Sequence, residues 1–88
     1  MKLVLAIVRD TDSDPISNAL TSASFRVTCI ASTGGFLRRG HSTLLLGLED
    51  EQVQDALTII RKHCSPTPEP GMRRAVVFVL KVDEYVQF

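Results

Sequence analysis

Neither sign of charge predominates in this chain: ten lysines and arginines stand against ten aspartates and glutamates. Balanced charge creates no global field that would draw the protein onto nucleic acid or an anionic membrane, so any anion site must be local. Cysteine is scarce. Cys29 and Cys64 are the whole complement, with neither metal-ligand spacing nor the density of a disulfide scaffold, and both read as small buried hydrophobes. Long apolar runs are also missing. The longest, residues 3–8, is far too short to span a bilayer. It passes straight into Arg9-Asp10-Thr11-Asp12, unlike a secretory signal, so the expected compartment is the cytoplasm. A positioned nucleophile with an acid–base pair is lacking too, and the expectation is a protein that is not an enzyme. His41 has no acidic or thiol partner nearby and reads as neither catalyst nor metal ligand; His63 reads the same way.

With 88 residues the expectation is a single small domain, residues 1–88, with one modest core. Residues 2–8 are β-branched and aliphatic and read as a strand running into a polar loop. Asp14-Pro15 is a helix-start signal, because proline at the first helical position loses no needed donor. Ile16, Ala19, Leu20 and Ala23 follow at helical spacing. Residues 25–32 return to period two, with Phe25, Val27, Cys29 and Ala31 on one side and Arg26, Thr28, Ile30 and Ser32 on the other. A third strand is predicted over 42–48. Glu49 and Asp50 then open a second helix, with an apolar stripe of Val53, Ala56, Leu57, Ile60 and Cys64. The proline-rich 65–72 forms an irregular link, and 73–82 is a fourth strand followed by the tail "DEYVQF". The order β-α-β-β-α-β is the ferredoxin-like α+β arrangement: a four-stranded antiparallel sheet with both helices on one face.

If the other face of that sheet met water, its strands would alternate apolar and polar. They do not: residues 3–8, 44–46 and 76–80 are apolar throughout. Two helices cover one face only. The second face needs a cover, and further copies of the same chain are the expected one. A seam between subunits is a natural concave site.

Between the second and third strands lies "STGGFLRRGH", residues 32–41. Adjacent glycines admit positive φ and let backbone N–H groups converge on an anion. Arg26 and Thr28 share a face of the preceding strand and offer a fork of donors and a hydroxyl. Phe36 presents a flat face for a base and Leu37 an apolar wall. Together they outline a purine-nucleotide pocket. Taken alone the stretch fits a flexible hairpin with Phe36 folded onto the core more readily than a pocket, and it is neither a Walker motif nor a dinucleotide fingerprint.

Three segments carry a resemblance. "MKLVLAIVRDTDSD" at the start, "FRVT" followed by "TGGFLRRG", and the closing "VFVLKVDEYVQF" resemble the cyclic-di-AMP receptor family of PII-like signal transduction proteins. The resemblance implies a homotrimer with three intersubunit sites for the bacterial second messenger cyclic di-AMP, no cofactor, and an unidentified downstream protein partner. Carried over by position, Arg26 and Thr28 lie beside the ligand, while Gly35, Phe36 and Leu37 supply backbone contacts and a wall around an adenine. His41 stands where the family usually has an asparagine that bonds the adenine edge. Gly47 allows close approach, and Phe78 and Gln87 complete the pocket. Ser24 also replaces a common asparagine, and the 65–74 link is much shorter than the family's usual loop. These departures keep a second reading open: a PII-like sensor of another adenine nucleotide, or a member without ligand binding. An acyl-phosphate hydrolase on the same fold lacks its acid–base residues. RNA binding lacks the aromatics that such sheets use for stacking.

Overall fold

The computed structural model describes residues 1–31, 40–66 and 75–88. The element order is β1 (Lys2–Arg9), α1 (Asp10–Ser22), β2 (Thr28–Ala31), β3 (His41–Leu48), a 3-10 turn (Asp50–Gln52), α2 (Val53–His63) and β4 (Ala75–Lys81). The strands form one antiparallel sheet in the order β2-β3-β1-β4. This is the ferredoxin-like topology expected from the sequence.

Alternation decides what each face holds. Val4, Ala6 and Val8 of β1 and Leu44, Leu46 and Leu48 of β3 point to one face, where they are sealed with Ile16 and Leu20 of α1 and Ala56 and Ile60 of α2. The opposite face carries Leu3, Leu5 and Ile7 of β1, Leu45 of β3, and Val76, Phe78 and Leu80 of β4. None of these is fully buried. Phe78 is 50% exposed and Leu80 47%. No described element covers that face.

Helix α1 begins at Asp10, a full turn before the Asp14-Pro15 signal, and Pro15 lies inside it. Two forces favour the earlier start. Asp10 and Asp12 place negative charge in the first turn. Their side chains are also held in place, Asp10 by the Ser42 hydroxyl and Asp12 by Arg9 and Ser65. Proline then forfeits only the bond its N–H would have made to the Thr11 carbonyl. The helix ends in a Schellman motif: Phe25 N–H donates to the Leu20 carbonyl and Ser24 N–H to the Thr21 carbonyl, both at 3.0 Å. Ser24 takes φ +69° there, a left-handed conformation that asparagine adopts more readily.

One further expectation is corrected. Cys29 is exposed, not buried. It sits on the helix side, 3.8 Å from Ser13 Oγ, but β2 is a four-residue edge strand that the helices do not cover. Cys64 is buried as expected and donates its thiol to the Ile60 carbonyl at 3.1 Å. The second helix starts in the 3-10 turn, where Glu49 N–H donates to Gln52 Oε1 at 3.0 Å in a capping box.

Candidate functional site

The register places four of the predicted site residues, Thr28, His41, Gly47 and Phe78, on one face of the sheet. Thr28 of β2 stands opposite Leu45 of β3, Leu45 opposite Leu5 of β1, and Leu5 opposite Phe78 of β4. One row thus crosses the open face from edge to edge. Gly47, Leu3 and Leu80 form the next row toward the end of the sheet that holds Met1 and the tail. Arg26 is exposed, two residues before Thr28, which brings it level with Gly47. The tail leaves from this end, tied by Val82 N–H to the Met1 carbonyl at 3.1 Å. Gln87 lies in it, exposed, with its Oε1 3.5 Å from the Tyr85 hydroxyl.

His41 opens β3 at the opposite end of the sheet. Six residues separate it from Gly47, about 20 Å of strand. Phe78 lies three strand spacings from Thr28, about 14 Å. No compact ligand therefore touches Arg26, His41 and Phe78 of one chain together. Gly35, Phe36 and Leu37 lie outside the described residues.

At Gly47 the backbone does not require glycine. A Cβ there would meet only the mobile end of Met1, at 3.2 Å, so the missing side chain leaves open surface on the predicted site. Gly40, which follows residues 32–39 in the chain, is different: its φ of +89° favours glycine although no described residue lies within 4 Å of an added Cβ. Its carbonyl accepts a bond from Asp10 N–H at 2.8 Å.

Two polar atoms on the open face of β3 are buried and lack a hydrogen-bond partner among the described residues: His41 Nδ1 and Thr43 Oγ1. Thr43 went unnoticed in the sequence. In the sequence it is one of three successive polar residues, His41-Ser42-Thr43, ahead of the leucines of β3, and nothing there singles it out.

The helix side has a polar cluster that spacing alone could not reveal. Asp12 is 1% exposed. Arg9 Nη2 is 3.2 Å from Asp12 Oδ2, Ser65 N–H donates to the same oxygen at 3.2 Å, and the Ser65 hydroxyl donates to Oδ1. Burial raises the carboxyl pKa, but the Ser65 bonds and the Arg9 charge outweigh it and hold the group below its ordinary range. This cluster stitches the start of α1 to the end of α2. On the same side, a groove of about 420 Å³ runs between α2 and β4, lined by Leu57, Ile60, Arg61, Cys64, Val77 and Val79 among others. Among the described residues that line it there is no predicted site residue. Among the described residues no cluster of His, Cys, Asp and Glu could hold a metal ion, and no helix is long and apolar enough to cross a membrane.

A crystal structure described as that of a functionally unknown protein from Pediococcus pentosaceus ATCC 25745 superposes with a TM-score of 0.80 at 38% identity, covering 99% of this chain and 96% of that one. The two chains are thus nearly equal in length. A family model described as cyclic-di-AMP receptor matches residues 1–70. The match takes in β1 through α2 with the "FRVT" and "TGGFLRRG" segments, and stops short of Phe78 and Gln87. On that match the chain belongs to the cyclic-di-AMP receptor family.

Proposed function

We propose that residues 1–88 form a single PII-like domain that assembles as a homotrimer and binds cyclic di-AMP at sites between its subunits. It acts as a cytoplasmic bacterial signal transduction protein with no catalytic step. Family membership supports the ligand. The observation that carries the assembly is the uncovered apolar face, together with a register that spreads the predicted residues too widely for one chain to gather them. A second copy brings distant ends of the sheet to one seam.

At that seam Arg26 and Thr28 take the phosphates, and Gly47 lets the ligand approach the strand. Gly35, Phe36 and Leu37 wall an adenine while His41 meets its polar edge. Phe78 and Gln87 close the pocket, and a downstream protein reads the resulting change. Such signalling requires ligand to bind one arrangement of the trimer more tightly than another.

The test is calorimetric titration of ligand-free protein with cyclic di-AMP, alongside sedimentation. The expected result is saturable binding to a trimer, weakened by Arg26→Ala, and weakened by about 1–3 kcal/mol in Phe36→Ala if the ring stacks on a base. No heat and no thermal shift at high ligand concentration rejects the assignment. One observation favours a second reading, a sensor of another adenine nucleotide: a histidine occupies position 41. Parallel thermal shifts with cyclic di-AMP, cyclic di-GMP, AMP and ATP separate the two.

A further inference from the structure

Along the open face of β3 the side chains run His41, Thr43, Leu45, Gly47. Thr43 stands between Ile30 of β2 and Ile7 of β1. It is only 7% exposed, and its hydroxyl is buried without a partner among the described residues. One alternation along, His41 Nδ1 is in the same condition. Folded proteins leave few buried polar atoms unpaired, so two on adjacent positions of one apolar face need an explanation. Strand formation does not supply it. Valine has a similar branched shape and fits a pleated surface at least as well, without stranding a hydroxyl.

We infer that Thr43 is a ligand-contacting residue which, with His41, forms a polar pair reading the edge of a nucleobase. The chemistry matches. A hydroxyl both donates and accepts, an imidazole nitrogen does either according to tautomer, and a base edge sets an exocyclic group beside a ring nitrogen. The position matches too. Thr43 is the diagonal neighbour of Thr28 on the adjacent strand, about 7–8 Å away. One ligand can therefore reach the phosphate-side hydroxyl and the base-reading pair together. The inference rests on the function proposed above and specifies which side chains select the base.

The experiment titrates wild type, Thr43→Val, Thr43→Ser and Thr43→Ala with cyclic di-AMP by calorimetry, with urea unfolding and sedimentation of each protein without ligand. The expected result is that Thr43→Val binds about tenfold or more weakly, unfolds at the same or a higher urea concentration, and stays trimeric, while Thr43→Ser keeps most of the affinity. Should the valine variant fold poorly, the contrast between Ser and Ala carries the same comparison. Wild-type affinity in both Thr43→Val and Thr43→Ala overturns the inference and leaves the proposed function standing. A changed oligomeric state without ligand assigns the hydroxyl to subunit contact and also overturns it. A wild type that gives no response to cyclic di-AMP removes the proposed function, and the inference with it.

Discussion

Leu45 and Leu46 are adjacent in the chain and identical in chemistry, yet they belong to different problems. Leu46 is sealed beneath the helices with Val4, Ile16 and Ile60. Leu45 lies half-buried on the other face, in a row with Thr28, Leu5 and Phe78 that no described element covers. One face is finished by its own helices; the other is apolar and unfinished. An unfinished apolar face of this extent marks an interaction surface, and here it is the same surface that carries the predicted ligand residues.

Truncation at Leu46 tests the finished face most severely. Leu46→Ala leaves a cavity in a core that α1 and α2 hold in place, and should lower stability by about 2–5 kcal/mol in urea unfolding. A loss below about 1 kcal/mol would mean that the core is less closed than its burial indicates.

Next in size is the polar anchor on that side. Asp12→Asn removes a buried carboxylate from Arg9 and Ser65. The expected cost is about 1–3 kcal/mol, below that of a wholly buried pair because Arg9 keeps part of its hydration. The Asp12 carboxyl is held below its ordinary range when folded, so its contribution is full above the unfolded value of about 4 and disappears as pH falls through the lower folded value. Wild type should therefore lose stability in that window more steeply than Asp12→Asn. Parallel pH profiles for the two would refute the ion pair.

The unfinished face should respond in a different observable. Leu45→Ala removes apolar surface worth about 1–2 kcal/mol of burial if a neighbouring copy covers it. Subunit affinity in sedimentation should fall while the unfolding of the separated chain changes little. Equal losses in both readouts would erase the distinction between the faces. The smallest effect is expected at Gly47→Ala: within about 0.5 kcal/mol of wild-type stability, since only the end of Met1 must shift, but with weaker ligand binding. Unchanged affinity there would remove Gly47 from the site.

Much of this was readable beforehand, and the reasons are local. Period two and period 3.6 marked the strands and helices, and the strands' failure to alternate announced a sheet with two apolar faces. Local signals erred where long-range contacts outweighed them. Asp14-Pro15 marks a helix start in isolation, but Ser42 and Ser65 secure the turn before it. Cys29 alternates like a buried residue, yet it lies on an edge strand too short to be covered. Thr43 is the last of three polar residues that lead into the leucines of β3 until the register sets it between Ile7 and Ile30, its hydroxyl without a partner among the described residues.

The order of residues alone determined the element sequence, the fold class, the surplus of apolar strand surface and the motifs of a cyclic-di-AMP receptor, because each is written in neighbours a few positions apart. Strand order and register were decided only in three dimensions. They place Thr28 and Phe78 on opposite edges, set His41 and Gly47 at opposite ends of β3, and bring Ser65 to Asp12 across more than fifty residues of chain. Such pairings follow from the packing of whole faces against one another, which no short stretch of sequence encodes.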